Sequence, residues 1–453
     1  LKAQQTALEK VESLYKDNAG SLEALKYAVM YGADAVYCGE PRYSLRVRNN
    51  EFDLEHLKSG IEEMHALGKK VYVVANIQPH NSKIKTFVRD LADVAALNPD
   101  SLIMSDPGMI MLVREAYPEI PVHLSVQANT INYASVKFWE KMGLSRIILS
   151  RELSLAEITE IRQECPDIEL EIFIHGALCM AYSGRCLLSG YLSRRDSNQG
   201  ACTNACRWEY RLKQACEDAS GDLVMPDLGT TPITPHSFLL EESHRPGELM
   251  PCDEDEHGTY IMNSRDLRAL QHVAKLCEIG VDSLKIEGRT KSFYYCARTA
   301  SVYRRAIDAA VAGHPITPEL FAELDSLAHR GYTDGFLARH PIADYQNYDF
   351  GYSISDQSQF VGEVTNVADD GLWEVAVRNR FNAGDTIEVL TPSGSTIYQL
   401  EAIFNRKREQ TDVAPGDGHI VYIKVPLSPE KAKMAILTRK FTNGENTRNP
   451  IKA

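Results

Sequence analysis

Residues 70–76 read KVYVVAN, five apolar residues without interruption between a lysine and an asparagine. Strict alternation would mark a strand with one face in water. A continuous run marks a strand covered on both faces, as in parallel sheets flanked by helices. Six further β-branched runs follow, most of them likewise continuous and apolar: AVYCG (35–39), SLIMS (101–105), PVHLSVQA (121–128), RIILSREL (146–153), ELEIFIHGA (169–177) and SLKIEG (283–288). Amphipathic segments separate them, among them SLEALKYAVMYG (21–32), LEHLKSGIEEMHALG (54–68) and LAEITEIRQEC (155–165). Such alternation means βαβ units.

Seven strands are visible, and a closed (β/α)8 barrel requires eight. The helix at 21–31 calls for a strand before it, yet LKAQQTALEKVESLYKDN (1–18) reads as an amphipathic helix. The expected fold is α/β, a (β/α)8 TIM-barrel-like catalytic domain over residues 1–340, with an open doubly wound sheet as the alternative. The alternation breaks after Gly176. An insertion over about 177–262 holds four cysteines and the Pro/Gly/Asp/Ser-rich stretch DASGDLVMPDLGTTPITPHS (218–237). Long insertions in strand–helix connections tend to carry function. A Tyr-rich connector, residues 341–355, leads to residues 356–453, where the hydrophobic period becomes two: FVGEVTNV, WEVAVRN, DTIEVLTPSGSTIYQLEAIF and HIVYIKVP. A small antiparallel all-β domain is expected there.

The 453 residues include 44% hydrophobic and 25% charged residues, ordinary values for a globular protein. There is no run of eighteen apolar residues and no basic-then-apolar leader, so a cytoplasmic protein without a membrane partner is expected. In that compartment ten cysteines point to free thiols, metal or catalysis before disulfides. The net charge of −13 argues against non-specific nucleic-acid binding by the whole surface. That charge is uneven. From Asp356 onward there are 12 Lys and Arg against 13 Asp and Glu, whereas the rest carries 37 against 49. The C-terminal domain is therefore the less repulsive surface for a polyanion. Arg378, Arg380, Arg406, Lys407 and Arg408 are its candidate contacts for such a polyanion, and Arg194, Arg195, Arg207 and Arg211 beside the cysteines form the rival patch.

Active sites of βα barrels lie at the carboxyl ends of the strands. Those ends carry Glu40 and Arg42, Asn76 and Gln78, Asp106, Ser125 and Gln127, Arg151, His175, and Glu287 and Arg289. Taken singly, each is readily a cap or a loop residue. Seven strands ending in polar groups indicate one polar mouth. Arg42, Arg46, Arg48, Arg151 and Arg289 offer planar donor forks suited to carboxylate or phosphate. An anionic small molecule with more than one acidic group is the expected ligand, with Asn76 and Gln127 as further binding groups. The plainer reading pairs some of these arginines with neighbours such as Glu152 and Glu287. His175 and Glu287 are the candidate proton-transfer groups.

Cys179, Cys186, Cys202 and Cys206 are spaced C-x6-C-x15-C-x3-C. Structural zinc favours closer pairs, which the last spacing fits and the first fits less well. Iron–sulfur clusters accept four thiolates at varied spacings. Spacing alone leaves iron–sulfur and zinc equally placed, with buried metal-free thiols as the bland alternative. Cys165 and Cys277 lie in helical segments and read as core thiols, while Cys252 is a reserve ligand within the insertion. H-E-x-x-H, G-x-S-x-G, a Walker loop and the dinucleotide fingerprint are all missing from the sequence.

EIFIHGALCMAYSGRC (171–186), preceded by HLSVQAN (123–129) and followed by DSLKIEGRTKS (282–292), resembles the collagenase-like class-U (U32) peptidase family. YGADAVYCGEPRYSLRVRNNEF (31–52), CTNACRWEY (202–210) and HRGYTDGF (329–336) bring it closest to a tRNA-hydroxylating branch of that family. The resemblance implies a barrel-like catalytic domain, a C-terminal β-domain and a [4Fe-4S] cluster on Cys179, Cys186, Cys202 and, by the C-x3-C arrangement, Cys206. It implies hydroxylation of the wobble uridine of tRNA to 5-hydroxyuridine, with prephenate as co-substrate and an electron donor as a further partner. A class-U protease, or hydroxylation of an rRNA base or a quinone precursor, is the alternative. A non-catalytic binding protein with a structural metal is a third. Members of the family open with a strand resembling PELLAPAGS, of which only Ala19–Ser21 is recognisable here.

Overall fold

The computed structural model describes residues 21–40, 42–45, 53–178, 182, 265–288, 291–338, 355 and 357–441. It also gives the backbone of strands at 15–18, 216–217, 223–224, 238–241, 249–255 and 258–260. Strand and helix alternate throughout the first part. The order is β1 (Tyr15–Asn18), α1 (Leu22–Met30), β2 (Ala35–Gly39), α2 (Leu54–Ala66), β3 (Lys70–Ala75), α3 (Asn81–Ala96), β4 (Ser101–Met104) and α4 (Pro107–Ala116). It continues with β5 (Val122–Leu124), α5 (Tyr133–Lys141), β6 (Arg146–Ile148), α6 (Leu155–Glu164), β7 (Glu169–Ala177), α7 (Val273–Ile279), β8 (Ser283–Ile286) and α8 (Phe293–Val311).

Adjacent strands pair in parallel from β1 to β7, and β8 pairs in parallel with both β7 and β1. The sheet therefore closes, and the fold is the (β/α)8 barrel rather than an open sheet. The eighth strand is Tyr15–Asn18, with Lys16 opposite both Lys285 and Ala35. This corrects the amphipathic-helix reading at its C-terminal end. Without β1, the facing edges of β2 and β8 would leave buried backbone groups unpaired, and that cost outweighs the local helical pattern. Residues 1–14 lie outside the described residues.

Local chemistry sets the helix starts. Ser21, Asp53, Asp106, Asn132 and Ser292 each accept a backbone N–H from the first turn of the following helix. Ser154 forms a full capping box with Glu157. One apolar layer lies between strands and helices, where Leu25, Leu57, Met64, Phe87 and Leu91 are at most 1% exposed. A second cluster fills the barrel itself: Tyr37, Tyr72, Val74, Ile103, Ile148 and Phe173.

The long connection from β7 to α7 carries the insertion. At its far end Asp266–Arg268 pairs antiparallel with the tip of β7, placing Arg268 opposite His175. After α8 and α9 (Pro318–Asp325), the chain enters an antiparallel eight-stranded sheet built around Trp373, Phe381 and Ile403. Its contacts with the barrel are specific. The Tyr31 hydroxyl donates to the carbonyls of Leu390 (2.9 Å) and Met434 (2.8 Å). Arg298 on α8 is fully buried and donates to Glu388 at 2.9 Å. Phe360 stacks on Tyr294. Among the described residues, no helix is long and apolar enough to cross a membrane.

Candidate functional site

Side chains at alternate positions of a barrel strand point into the barrel. On β6, β7 and β8 those positions bring ionic groups inside. Glu171, fully buried, accepts from Lys285 Nζ at 2.8 Å and from Arg146 Nη1 at 3.2 Å. Arg146 also reaches Glu169 at 2.6 Å, whose side chain is 44% exposed. Lys285 Nζ lies 3.6 Å above the centroid of the Tyr37 ring and 5.5 Å from that of Phe173. Burial first, opposed by Glu171 and reinforced by Arg146, holds the Lys285 ammonium below the usual lysine range. His123 completes this level, bonded to Ser101 at 3.0 Å and packed on Tyr72.

The mouth stands above this floor. Tyr37 donates to the Ile286 carbonyl at 3.1 Å and lies 3.5 Å from Glu287 Oε2, which is half-buried at the end of β8. Asn76 donates to Ser125 at 3.1 Å, tying the ends of β3 and β5 together over β4. Ser105 below them donates to the Asn76 carbonyl at 2.8 Å. The Gln127 backbone N–H donates to Ser125 at 3.4 Å within the turn after β5. The Arg151 guanidinium lies 3.9 Å over the Phe173 ring and donates to the Ala177 carbonyl at 3.0 Å, while its buried Nε has no partner. Tyr37, Asn76, Ser125, Arg151, Phe173 and Glu287 thus bring polar and aromatic groups to the carboxyl-end side of the barrel.

Three strand-end residues serve elsewhere. Arg42 is ion-paired with Asp90 on α3, outside the barrel, and Asp90 also accepts from Tyr43 at 2.8 Å. Asp106 is the N-cap of α4, accepting the Met109 N–H at 2.9 Å. His175 does not face the mouth. Lys285 pairs with Phe173 and Ile286 with His175, so Ile174 is skipped in the register. This bulge turns His175 outward, where Tyr295, Tyr303 and Tyr332 surround it and its Nδ1 meets the Tyr303 hydroxyl at 3.2 Å. Burial pushes its pKa down to about 3, so it is neutral at physiological pH. The proton-transfer role expected of His175 therefore has no support from its position. Glu40, buried, accepts the backbone N–H of Arg42 at 2.7 Å and that of Tyr43.

Lys285, Glu171, Arg146 and Tyr37 were not among the candidates from sequence. A signal existed: a lysine inside SLKIEG and a glutamate inside ELEIFI are charges within otherwise apolar runs. A charge at a barrel-interior position must be partnered or functional.

Cys179, Cys186, Cys202 and Cys206 lie outside the described residues, as do Arg46, Arg48, Arg289 and the rival patch at Arg194, Arg195, Arg207 and Arg211; of Cys252 only the backbone is described. Among the described residues, no group of three or more His, Cys, Asp or Glu is placed to hold a metal ion. Cys165 and Cys296 are buried thiols that donate to the carbonyls of Tyr133 (3.6 Å) and Gly288 (4.0 Å), and Cys277, partly buried, has its pKa pushed up to about 11 by desolvation. These are inert core thiols.

In the C-terminal domain, Arg406, Lys407 and Arg408 form the exposed tip between the paired strands Ile403–Phe404 and Gln410–Thr411. Asn405 Oδ1 holds the turn by accepting the N–H groups of Lys407 (2.8 Å) and Glu409 (3.1 Å). The Arg408 guanidinium stacks 3.6 Å over Tyr422. Arg378 is bonded to Glu363 at 2.6 Å and turned toward Phe293 of the barrel, so it joins the domains; Arg380 is exposed.

Comparison with known proteins places this geometry in a lineage. Residues 20–347 match the model of peptidase family U32, and residues 356–439 match the peptidase family U32 C-terminal domain. The tRNA hydroxylation protein P of Escherichia coli (strain K12) is 60% identical over 443 residues, covering 95% of this chain and 97% of that one. The protein of the same name from Haemophilus influenzae is 60% identical over 447 residues, covering 95% and 97%. The 23S rRNA 5-hydroxycytidine C2501 synthase of Escherichia coli is 31% identical over 403 residues, covering 86% of this chain and 54% of that protein.

Proposed function

The chain belongs to peptidase family U32, and from that premise we propose that it takes part in hydroxylating tRNA. In finer terms, it converts the wobble uridine to 5-hydroxyuridine, with prephenate as co-substrate and a [4Fe-4S] cluster as cofactor. The observation that carries this reading is 60% identity along 95% of the chain to the tRNA hydroxylation protein P of Escherichia coli.

The mouth supports a small acidic co-substrate. Arg151 presents a guanidinium on the Phe173 face, Asn76 and Ser125 supply neutral hydrogen-bonding groups, and Glu287 is the acid–base group at the rim. Cys179, Cys186, Cys202 and Cys206 would hold the cluster, since four thiolates are the donor set that iron and sulfide prefer. When bound, such a cluster supplies one-electron transfer or Lewis acidity. The target base must leave its stack to be modified, so the mouth has to admit a flipped nucleobase. The basic hairpin tip offers contacts for the RNA backbone.

A peptidase reading draws on the family name alone. His175, the histidine beside the cysteine-bearing segment, is enclosed by three tyrosines and serves no hydrolytic nucleophile among the described residues. Mass spectrometry of tRNA nucleosides from a strain lacking the protein tests the proposal. Loss of 5-hydroxyuridine and its derivatives, restored by the wild-type gene, is expected; an unchanged nucleoside profile overturns it.

A further inference from the structure

We propose that Lys285 is a carbonyl-reactive amine, and that the barrel takes an α-keto acid as an imine on its Nζ. The proposal rests on the reading of the mouth as the site of a small anionic co-substrate, whose reactive group it specifies.

A lysine at the centre of a barrel strand is an expensive choice for packing alone. Lys285 is 2% exposed, and Arg146 beside it is also 2% exposed. Among the described residues Glu171 faces both cations, at 2.8 Å and 3.2 Å, while Glu169 holds Arg146 from the outer end and Glu287 acts on Lys285 from the rim. The guanidinium keeps its proton at any accessible pH, so the proton this cluster gives up most readily is that of Lys285. Desolvation together with a neighbouring cation is how amines are activated toward carbonyls. Glu171, bonded to the ammonium, is placed to receive the proton.

What stands above the amine selects the ligand. The Tyr37 ring covers Nζ at 3.6 Å, and its hydroxyl reaches the Ile286 carbonyl and Glu287. The Phe173 ring centroid lies 5.5 Å from Nζ and 3.9 Å from the Arg151 guanidinium. A reactive amine below, a carboxylate-binding fork above and an acid at the rim match a ketone that bears an adjacent carboxylate. Entry requires the Tyr37 ring to turn aside, releasing its bond to Ile286. The neutral Nζ then adds to the carbonyl carbon, and one of its two protons passes to the carbonyl oxygen, which becomes a hydroxyl. A proton from the Glu287 carboxylic acid lets that hydroxyl leave as water while the nitrogen lone pair forms the C=N bond, and the remaining N–H proton returns to Glu287. Amine and ketone become imine and water without any oxidant or reductant.

The test uses the full chain with pyruvate as probe and sodium cyanoborohydride to reduce any imine, followed by peptide mapping. One reduced adduct on the peptide carrying Lys285 is expected, with exposed Lys58 unlabelled, and Lys285→Arg should abolish it. Mapping the wild-type protein suffices if that variant fails to fold. No adduct at Lys285, or equal labelling of Lys58, overturns the proposal. Tested beside the tRNA nucleosides, the two readings separate. Loss of the modified nucleoside in the deletion strain without an adduct removes this proposal alone. An adduct with unchanged nucleosides upholds it and removes the tRNA reading.

Discussion

Glu171 Oε1 lies 2.8 Å from Lys285 Nζ, and its other oxygen lies 3.2 Å from Arg146, all three residues being at most 2% exposed. Removing the carboxylate takes from Lys285 its 2.8 Å acceptor and leaves Arg146 with Glu169 alone among the described residues. Breaking a buried pair from one side typically costs about 3–5 kcal/mol. Glu171→Gln should lower stability by that order, read as a lower denaturation midpoint. Adding Lys285→Met should recover part of the loss, because the uncompensated charge goes with it. A single variant as stable as wild type would mean that the interior admits water.

His175 supplies a pH dependence unrelated to the mouth. Burial holds its pKa near 3 against about 6.5 for a free imidazole. The unfolded chain therefore binds a proton that the folded one refuses. This contribution is fully present above about pH 6.5 and is lost as pH falls toward 3, with a limiting slope of about 1.4 kcal/mol per pH unit. His175→Phe, which suits the surrounding tyrosines, should flatten stability against pH in that window. The same variant should leave the neutral-pH profile of modification unshifted. An unaltered stability profile would show that the ring is hydrated in solution.

These two residues mark what the sequence could and could not reveal. The apolar runs at 35–39, 70–76 and 101–105 all became barrel strands, because continuous burial leaves an unmistakable pattern. Tyr15–Asn18 was illegible, since YKDN has one apolar residue and its strand state is imposed by the edges of β2 and β8. Alternation along β7 carried Phe173 inward and suggested the same for His175. The bulge at Ile174, a feature of pairing with β8, reverses that orientation. Asn76, Arg151 and Glu287 stand just beyond the ends of β3, β6 and β8, where the end of each apolar run put them. The ionic interior was visible only as charges out of place.

Gly176 follows this bulge with φ +114°, a conformation that side-chain-bearing residues rarely adopt. A Cβ there would stand 2.6 Å from the Glu287 carbonyl oxygen and 2.7 Å from the Glu287 Cβ. Gly176→Ala therefore strains β7 by about 1–3 kcal/mol and displaces the mouth carboxylate. Modification of tRNA should fall further than stability does, measured as turnover on unmodified tRNA beside thermal unfolding. Equal, small losses in both would place the substrate away from Glu287.

The hairpin tip gives the last prediction. Arg406, Lys407 and Arg408 are exposed on a turn fixed by Asn405, so their charge is presented without disturbing the core around Trp373 and Ile403. Phosphate contacts release counterions, and each lost contact removes about 0.7–0.9 from the slope of log affinity against log salt. Reversing all three to glutamate should weaken tRNA binding and flatten that slope by roughly two, if the side chains act as backbone contacts. Arg408 already stacks on Tyr422 and lies 3.3 Å from Asp370, so Arg406 and Lys407 should account for most of the change. Because the tip is far in sequence from the cysteines and, among the described residues, pairs within its own sheet, the same variant should leave the iron content of the proposed cluster unchanged. An unchanged salt titration would transfer the RNA surface to the arginines at 194, 195, 207 and 211 beside the cysteine-bearing segment.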